Sequence, residues 1–249
     1  DNSALGEDVI HKLQRHKVNT EYMQTVPGGM GTWLAVFDHN GDVAGSISQR
    51  PDLTPILTIL EEKGDEIISQ CDSVVIEVDM DKEIVKKVVL LCEKYDKKLY
   101  GVVSNMSIAM ERLDFLQKFD CFICNQQEAG MFFSDDYNDK TPDEMQDILA
   151  DCLKHANISS MVVTMGGQGA VFADKNGLRG FCPARSVQVK DTTGAGDSFC
   201  AGVASGLTYG NTLEEAVAIG TRLAASVITS SENVCPRFLP AELGITEQV

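Results

Sequence analysis

The hydrophobic positions of this chain follow two different periods. Short apolar runs alternate with longer segments in which apolar residues recur every three or four positions. The short runs are typical of buried strands, and the longer segments are typical of amphipathic helices. The pattern predicts strands at 73–78, 99–103, 121–124, 161–164, 170–174 and 186–189. It predicts helices at 7–16, 56–69, 82–95, 108–118, 142–156, 198–207 and 213–228.

Strands that alternate with helices predict an α/β fold, with a mostly parallel sheet that carries helices on both faces. The segment of about 18–48 departs from this order. It alternates between apolar and polar residues and contains an Asn40-Gly41 turn between two apolar runs, which favours a β-hairpin. We therefore expect a single domain over 1–249, with a small β lid at about 18–48.

Composition excludes several classes of partner. The chain of 249 residues has a formal net charge of −16, which argues against binding to a nucleic-acid polymer or to an anionic membrane. Its 8 cysteines follow no framework spacing, as expected of reduced thiols in a cytoplasmic enzyme. Cys121 and Cys124 would point to opposite faces of one strand, so a redox or metal role for this pair is disfavoured.

The run from Asp191 to Asp197, Asp-Thr-Thr-Gly-Ala-Gly-Asp, joins the predicted strand at 186–189 to the predicted helix at 198–207. The first N–H groups of a helix lack internal partners, and its dipole favours negative charge there. Glycines at this point let an anion approach the backbone. An aspartate beside bound phosphate suits the removal of a proton from an attacking hydroxyl. The alternative is an ordinary helix start with an acidic first turn.

This run resembles the second signature of the ribokinase-like, or PfkB-type, sugar and nucleoside kinases. The resemblance implies that Gly194, Ala195 and Gly196 form an anion hole for the transferring phosphate. It also implies that Asp197 is the catalytic base. The family fold is the α/β arrangement described above, with a β lid.

The resemblance also implies a monovalent cation site. In family members activated by potassium, the residues that match Asp191 and Thr193 bind K⁺. A second loop completes that site, and here the segment 229–234 carries Glu232 and Asn233 where many relatives have a Gly-Ala pair. The need for K⁺ is therefore left open. The adenine pocket should lie beside the same loop, so Asn233 is a candidate ATP contact.

A polar cluster, Asn125 to Glu128, directly follows the predicted strand at 121–124. A glutamate in the first turn of a helix is explained by the helix dipole alone. In the resembled family, however, an Asn-x-x-Glu motif lies here. Its Glu organises the water shell of Mg²⁺, and its Asn lies near the nucleotide phosphates. A single carboxylate is adequate for this, because Mg²⁺ usually keeps several waters.

A glycine-rich run, Thr164 to Gly169, follows the predicted strand at 161–164. Glycines at a strand end allow a tight turn and close approach of backbone to a ligand, although a plain hairpin loop has the same composition. The run matches the family's Thr-x-Gly-x-x-Gly, which implies that Thr164, Gly166 and Gly169 line the phosphate and ribose of ATP. The chain has no P-loop motif.

The resemblance implies an ATP- and Mg²⁺-dependent kinase that phosphorylates a hydroxyl of a small nucleoside or sugar. The run from Cys124 to Gly130, together with the lid, looks most like pseudouridine kinases, which act on the 5′-hydroxyl. A ribokinase, fructokinase or adenosine kinase would share every motif. The family's first strand, an acidic sugar-binding residue and a Gly-Gly motif have no counterpart here, so we expect the given sequence to be a fragment or to lack its start. A non-catalytic nucleotide-binding fragment is thus a further alternative, and the lid hairpin's edges suggest a homodimer.

Overall fold

The computed structural model describes residues 1–37, 43–103, 113–231, 234, 240–243 and 245. The predicted Asn40-Gly41 turn, residues 108–112 of one predicted helix, and Asn233 lie outside these residues. The described chain divides into two compact units, Asp1–Lys63 and Gly64–Val249.

The first unit contains a helix and a β-hairpin. Its elements are α1 (Ala4–Arg15), β1 (Thr32–Phe37), β2 (Val43–Gln49) and the start of α2 (Thr54–Gln70). The side chain of Ser3 accepts a hydrogen bond from the N–H of Gly6 and so caps α1. The strands β1 and β2 pair antiparallel, as the lid prediction requires.

One face of the hairpin is apolar and exposed. Leu34 lies opposite Ile47, and Val36 lies on the same face as Leu34 because side chains alternate along a strand. Their exposed fractions are 63% for Leu34, 65% for Val36 and 72% for Ile47. An isolated two-stranded sheet is marginally stable in water. The homodimer through this hairpin stays a prediction.

The second unit contains the alternating strands and helices. In chain order these are β3 (Ser73–Glu77), α3 (Lys82–Tyr95), β4 (Lys98–Val102), α4 (Leu113–Leu116), β5 (Cys121–Asn125), α5 (Gln126–Phe133), α6 (Pro142–Ala156), β6 (Ser160–Thr164), β7 (Gly169–Asp174), β8 (Arg179–Pro183), α7 (Ala195–Thr208) and α8 (Leu213–Ile228).

The strands β3 to β8 form one six-stranded sheet in sequence order. Neighbours from β3 to β6 are parallel, whereas β7 and β8 are antiparallel additions. The predicted mostly parallel α/β fold is confirmed. The carboxyl ends of the parallel strands meet at one edge of the sheet, and there Asn125 of β5 lies directly opposite Thr164 of β6. Two of the predicted polar clusters are thereby neighbours.

The predicted strand at 186–189 is wrong. These residues have no regular secondary structure, and the last strand, β8, lies before them. The alternation Ser-Val-Gln-Val does not join the sheet, although β8, its last strand, has one edge without a strand partner among the described residues. The N–H of Lys190 instead donates to the carbonyl of Ile228, outside the sheet. An irregular segment, and not a strand, therefore leads into α7.

The helices α7 and α8 pack in close contact. A Cβ at Gly202 would come within 2.6 Å of the Gly220 Cα, and a Cβ at Gly220 would come within 2.7 Å of the Phe199 carbonyl oxygen. Phe199 and Val203, which also contact Gly220, join the core with Ile123 of β5. The position of α7 over the sheet is fixed by both contacts.

The cysteines of the described chain agree with the expectation of reduced thiols. The described cysteines are free thiols, and Cys121 and Cys124 are both buried. Burial raises the pKa of Cys121 to about 12, so its thiol is protonated at neutral pH. Among the described residues, no helix has both the length and the apolar character needed to cross a bilayer.

We expect Gly202→Val to destabilise the protein by about 1–3 kcal/mol, because the added side chain overpacks the contact between α7 and α8. The free energy of unfolding in urea would measure this. Ala201→Val is a control for the same β-branched side chain, since Ala201 is exposed on the same helix. Helix propensity alone would make Ala201→Val the more destabilising change, because valine ranks below alanine and above glycine. Equal loss of stability in both variants would contradict the importance of the glycine contact.

Candidate active site

The N-terminus of α7 presents unpaired backbone donors. Gly194 caps the helix with φ at +80°, a conformation that favours glycine. The N–H of Ala195 donates to the carbonyl of Thr192 at 3.1 Å, whereas within the described chain the N–H groups of Gly196 and Asp197 meet no acceptor. A Cβ at Gly196 would touch nothing within 4 Å. The free donors are therefore those of Gly196 and Asp197, and Ala195 contributes to the turn.

Two cavities meet at this helix end. The first, of about 810 Å³, is lined by Asp197, Cys200, Glu128 and Asn125, with apolar side chains of β3, β4 and β5. The second, of about 440 Å³, is lined by the glycine turn that follows β6, by residues 184–189 and by α8. Thr164 and Gly196 line both cavities. A group bound at Gly196 would thus be in reach of ligands on either side.

Asp197 lies in the first turn of α7 with its side chain exposed to the first cavity. Cys200, one turn further on, lines the same cavity. Burial, and then the charge of Asp197, raise the pKa of the Cys200 thiol to about 12. This thiol therefore stays protonated at neutral pH and is not available to accept a proton.

Asn125 and Glu128 form a capping box at the start of α5. The side chain of Asn125 accepts from the N–H of Glu128 at 2.8 Å, and Glu128 Oε2 accepts from the N–H of Asn125 at 2.7 Å. The helix start thus accounts for one carboxylate oxygen of Glu128, Oε2, and not for the other. Burial nevertheless raises the pKa of Glu128 despite that hydrogen bond, and the residue lines the first cavity.

Asp79 is an acidic residue near the site that sequence reasoning missed. It follows β3 at the same edge of the sheet and is only 3% exposed. After burial, its charge also contributes to the raised pKa of Glu128. The signal available in the sequence was its position directly after a predicted strand, where ligands bind in open α/β sheets.

The glycine run forms the loop of the hairpin between β6 and β7. Gly166 to Gln168 make a short 3-10 turn, with φ at +54° for Gly166 and at +128° for Gly169. A Cβ at Gly166 or Gly167 would meet nothing within 4 Å, so this part of the turn faces open space. The hairpin explanation is therefore correct, and the same turn lines the second cavity.

The rest of the second cavity is largely apolar. It is lined by Phe199 of α7 and by Ala224, Ala225 and Ile228 of α8. Thr221 also lines the cavity, but its hydroxyl donates to the carbonyl of Val217 at 2.9 Å. An apolar slot of this kind suits a planar ring. Sequence reasoning missed these residues because two helices and a loop far apart in the chain assemble the slot.

The proposed monovalent cation ligands lie outside both cavities. Asp191 Oδ1 accepts a hydrogen bond from the N–H of Thr193 at 2.8 Å, and the contacts with Thr193 lower the pKa of Asp191. Neither residue, nor Gly194, lines either cavity. One oxygen of Asp191 is thus used within the turn, and its role toward K⁺ stays a prediction.

Comparison with known proteins places these features in a family. The family model described as pfkB family carbohydrate kinase matches residues 2–235. Guanosine-inosine kinase of Exiguobacterium acetylicum is 33% identical over 245 residues, which cover 96% of this chain and 79% of that protein. Ribokinase of Lactococcus lactis is 26% identical over 217 residues, which cover 86% of this chain and 66% of that protein.

Solved structures agree on the fold. The crystal structure of adenosine kinase from Sinorhizobium meliloti matches 98% of this chain and 74% of its own, with a TM-score of 0.77 and 21% identity. That of ribokinase from Thermotoga maritima matches 98% and 77%, with a TM-score of 0.70 and 19% identity. At such identities the structures support the fold alone. The family model and the 33% identical relative also show the family: the chain belongs to the pfkB family of carbohydrate kinases.

Proposed function

We propose that this chain is an ATP-dependent kinase that transfers the γ-phosphoryl group to a hydroxyl of a nucleoside. The observation that carries the proposal is the meeting of two cavities at Thr164 and Gly196, beside unpaired N–H groups at the start of α7. Phosphoryl transfer needs donor and acceptor to be held in line across one anion-binding point. The second cavity would hold ATP, and the first would hold the acceptor.

In this proposal, the oxygen of the acceptor hydroxyl forms a bond to the γ-phosphorus, and Asp197 takes the proton of that hydroxyl. The bond from that phosphorus to the bridging oxygen of ADP breaks in the same step. The N–H groups of Gly196 and Asp197 stabilise the charge on the transferring phosphoryl group. The proton then leaves Asp197 for water, and the carboxylate is ready for the next turnover.

The described residues fit a magnesium ion that keeps most of its waters. Among them no cluster of three or more His, Cys, Asp or Glu could hold a metal ion directly. Mg²⁺ commonly takes one or two carboxylates, water and substrate phosphate. Glu128 would orient its water shell with the oxygen that is free of the capping box. The ion would neutralise phosphate charge when bound.

Resemblance to nucleoside kinases and the shape of the first cavity both support a nucleoside over a sugar. The 33% identical relative is a guanosine-inosine kinase, and the run from Cys124 to Gly130 looks like that of pseudouridine kinases. The first cavity, at about 810 Å³, is also larger than one sugar ring requires. Its walls include Val75, Val102 and Ile123, which would suit the face of a base. We favour guanosine or inosine, with pseudouridine next.

We expect ADP release with guanosine, inosine or pseudouridine to exceed that with ribose or fructose by at least about tenfold in kcat/KM, because only a nucleoside fills the apolar part of the cavity. A coupled ADP assay over these acceptors and adenosine would measure this. Faster turnover of ribose or fructose would favour a sugar kinase. ATP binding without turnover of any acceptor would favour the non-catalytic alternative.

We expect Asp197→Asn to lower kcat by about 100- to 10,000-fold, because the variant loses the base but keeps the shape of the site. ATP affinity should not weaken, since an asparagine does not repel phosphate. Asp143→Asn is the matched control, because Asp143 is also an exposed aspartate in the first turn of a helix, away from both cavities. Near-normal turnover by Asp197→Asn would show that another group takes the proton.

We expect the activity to fall on the acid side with an apparent pKa above 4.5, the ordinary value for a glutamate, because burial raises the pKa of Glu128 and only the carboxylate orients Mg²⁺ waters. Glu128→Gln should lower activity, raise the Mg²⁺ concentration needed, and remove this limb of the pH profile. Glutamine still closes a capping box, so the helix start is kept.

Two further capping boxes provide controls for this variant. Glu144 and Glu215 occupy the same position in α6 and α8, and neither lines a cavity. Glu144→Gln and Glu215→Gln should leave the Mg²⁺ dependence and the pH profile unchanged. If Glu128→Gln behaves like these two, Glu128 serves the helix alone.

A further inference from the structure

Arg185 lies beside the glycine turn. It lies two residues after the end of β8, and the N–H of the preceding residue, Ala184, donates to the carbonyl of Gln168 at 3.1 Å. This hydrogen bond ties the backbone of Arg185 to the turn that contains Gly166 and Gly167. All of these residues except Gln168 line the second cavity.

The charge of Arg185 is isolated within the described part of the chain. Its side chain is exposed, and no described carboxylate lies within ion-pair distance of it. By contrast Arg179, on β8 itself, pairs with Asp147 at 2.6 Å. Among the described residues that line either cavity, Arg185 is the only lysine or arginine.

This isolated cation lies in a strongly acidic protein. The formal net charge is −16, and Asp197 and Glu128 add negative charge to the adjoining first cavity. A nucleotide polyphosphate would enter a field that repels it unless a local cation compensates. The N-terminus of α7 supplies only about half a charge, and it lies where the transferring group would bind. The phosphates that stay with the donor need a separate partner.

We propose that Arg185 binds the phosphates of the donor nucleotide that are not transferred. This rests on the proposed kinase function and names a residue that sets affinity for the donor. A guanidinium offers a planar fork of donors that matches phosphate oxygens. The open space over Gly166 and Gly167 lets the polyphosphate lie along the turn, within reach of a long side chain anchored at its edge.

Calorimetric titration of ATP, ADP and adenosine into wild type and Arg185→Gln tests this. The variant should bind ATP and ADP about tenfold more weakly, the scale of one hydrogen bond to a charged group, and adenosine equally well. Arg185→Lys should lie between the two, because it keeps the charge and loses the fork. The KM for ATP should rise more than kcat falls, and the salt sensitivity of ADP binding should shrink.

Arg179→Gln is the matched control, since it removes the same charge from the adjacent strand, away from both cavities. It should leave all three affinities unchanged. Equal weakening of ADP and adenosine by Arg185→Gln would assign the side chain to the base and overturn the proposal, as would unchanged ADP affinity. A wild type that binds no nucleotide would instead overturn the proposed function itself.

Discussion

The close packing of α7 on α8 is the constraint on which the site depends. Gly202 and Gly220 let the two helices approach until backbone touches backbone. On the same face of α7, Phe199 and Val203 also contact Gly220 and join the core. A helix packed this closely cannot tilt or slide easily, because protein interiors are close-packed. Its N-terminus is therefore held at the carboxyl edge of the parallel strands, where Asn125 and Thr164 already lie side by side.

Charge poses the central problem for this site. A kinase must hold several negative phosphate oxygens near the carboxylate that accepts the proton, and this protein is acidic as a whole. The site places phosphate binding and proton transfer on different groups. Gly196, whose N–H group is unpaired in the described chain, lines both cavities, whereas Asp197 lines the first. Arg185 lines the second cavity and not the first, so under the proposed function attraction and proton transfer would act on different parts of the reacting pair.

Most helices and strands could be predicted from local sequence, but contacts between distant segments could not. The helix at 82–95 was predicted with its observed bounds, because its apolar face and flanking polar residues are local signals. The strand at 186–189 was wrong, because alternation does not decide whether a segment joins the sheet. The chain instead runs to the end of α8, where the N–H of Lys190 donates to the carbonyl of Ile228. The walls of the second cavity come from residues 164 to 228, so no local pattern marks them.

The three capping boxes show how far local sequence can carry a functional argument. Glu128, Glu144 and Glu215 each close a box by accepting from the N–H of the N-cap residue. Glu144 and Glu215 also accept from a threonine hydroxyl, and these bonds lower their pKa values. Burial raises the pKa of Glu128 despite its capping bond, so the place of this box in the fold outweighs the bond. This box directly follows the parallel strand β5, at the carboxyl edge of the sheet. The capping hydrogen bond holds one oxygen of Glu128 in place there, and this restraint leaves the other oxygen positioned at the cavity.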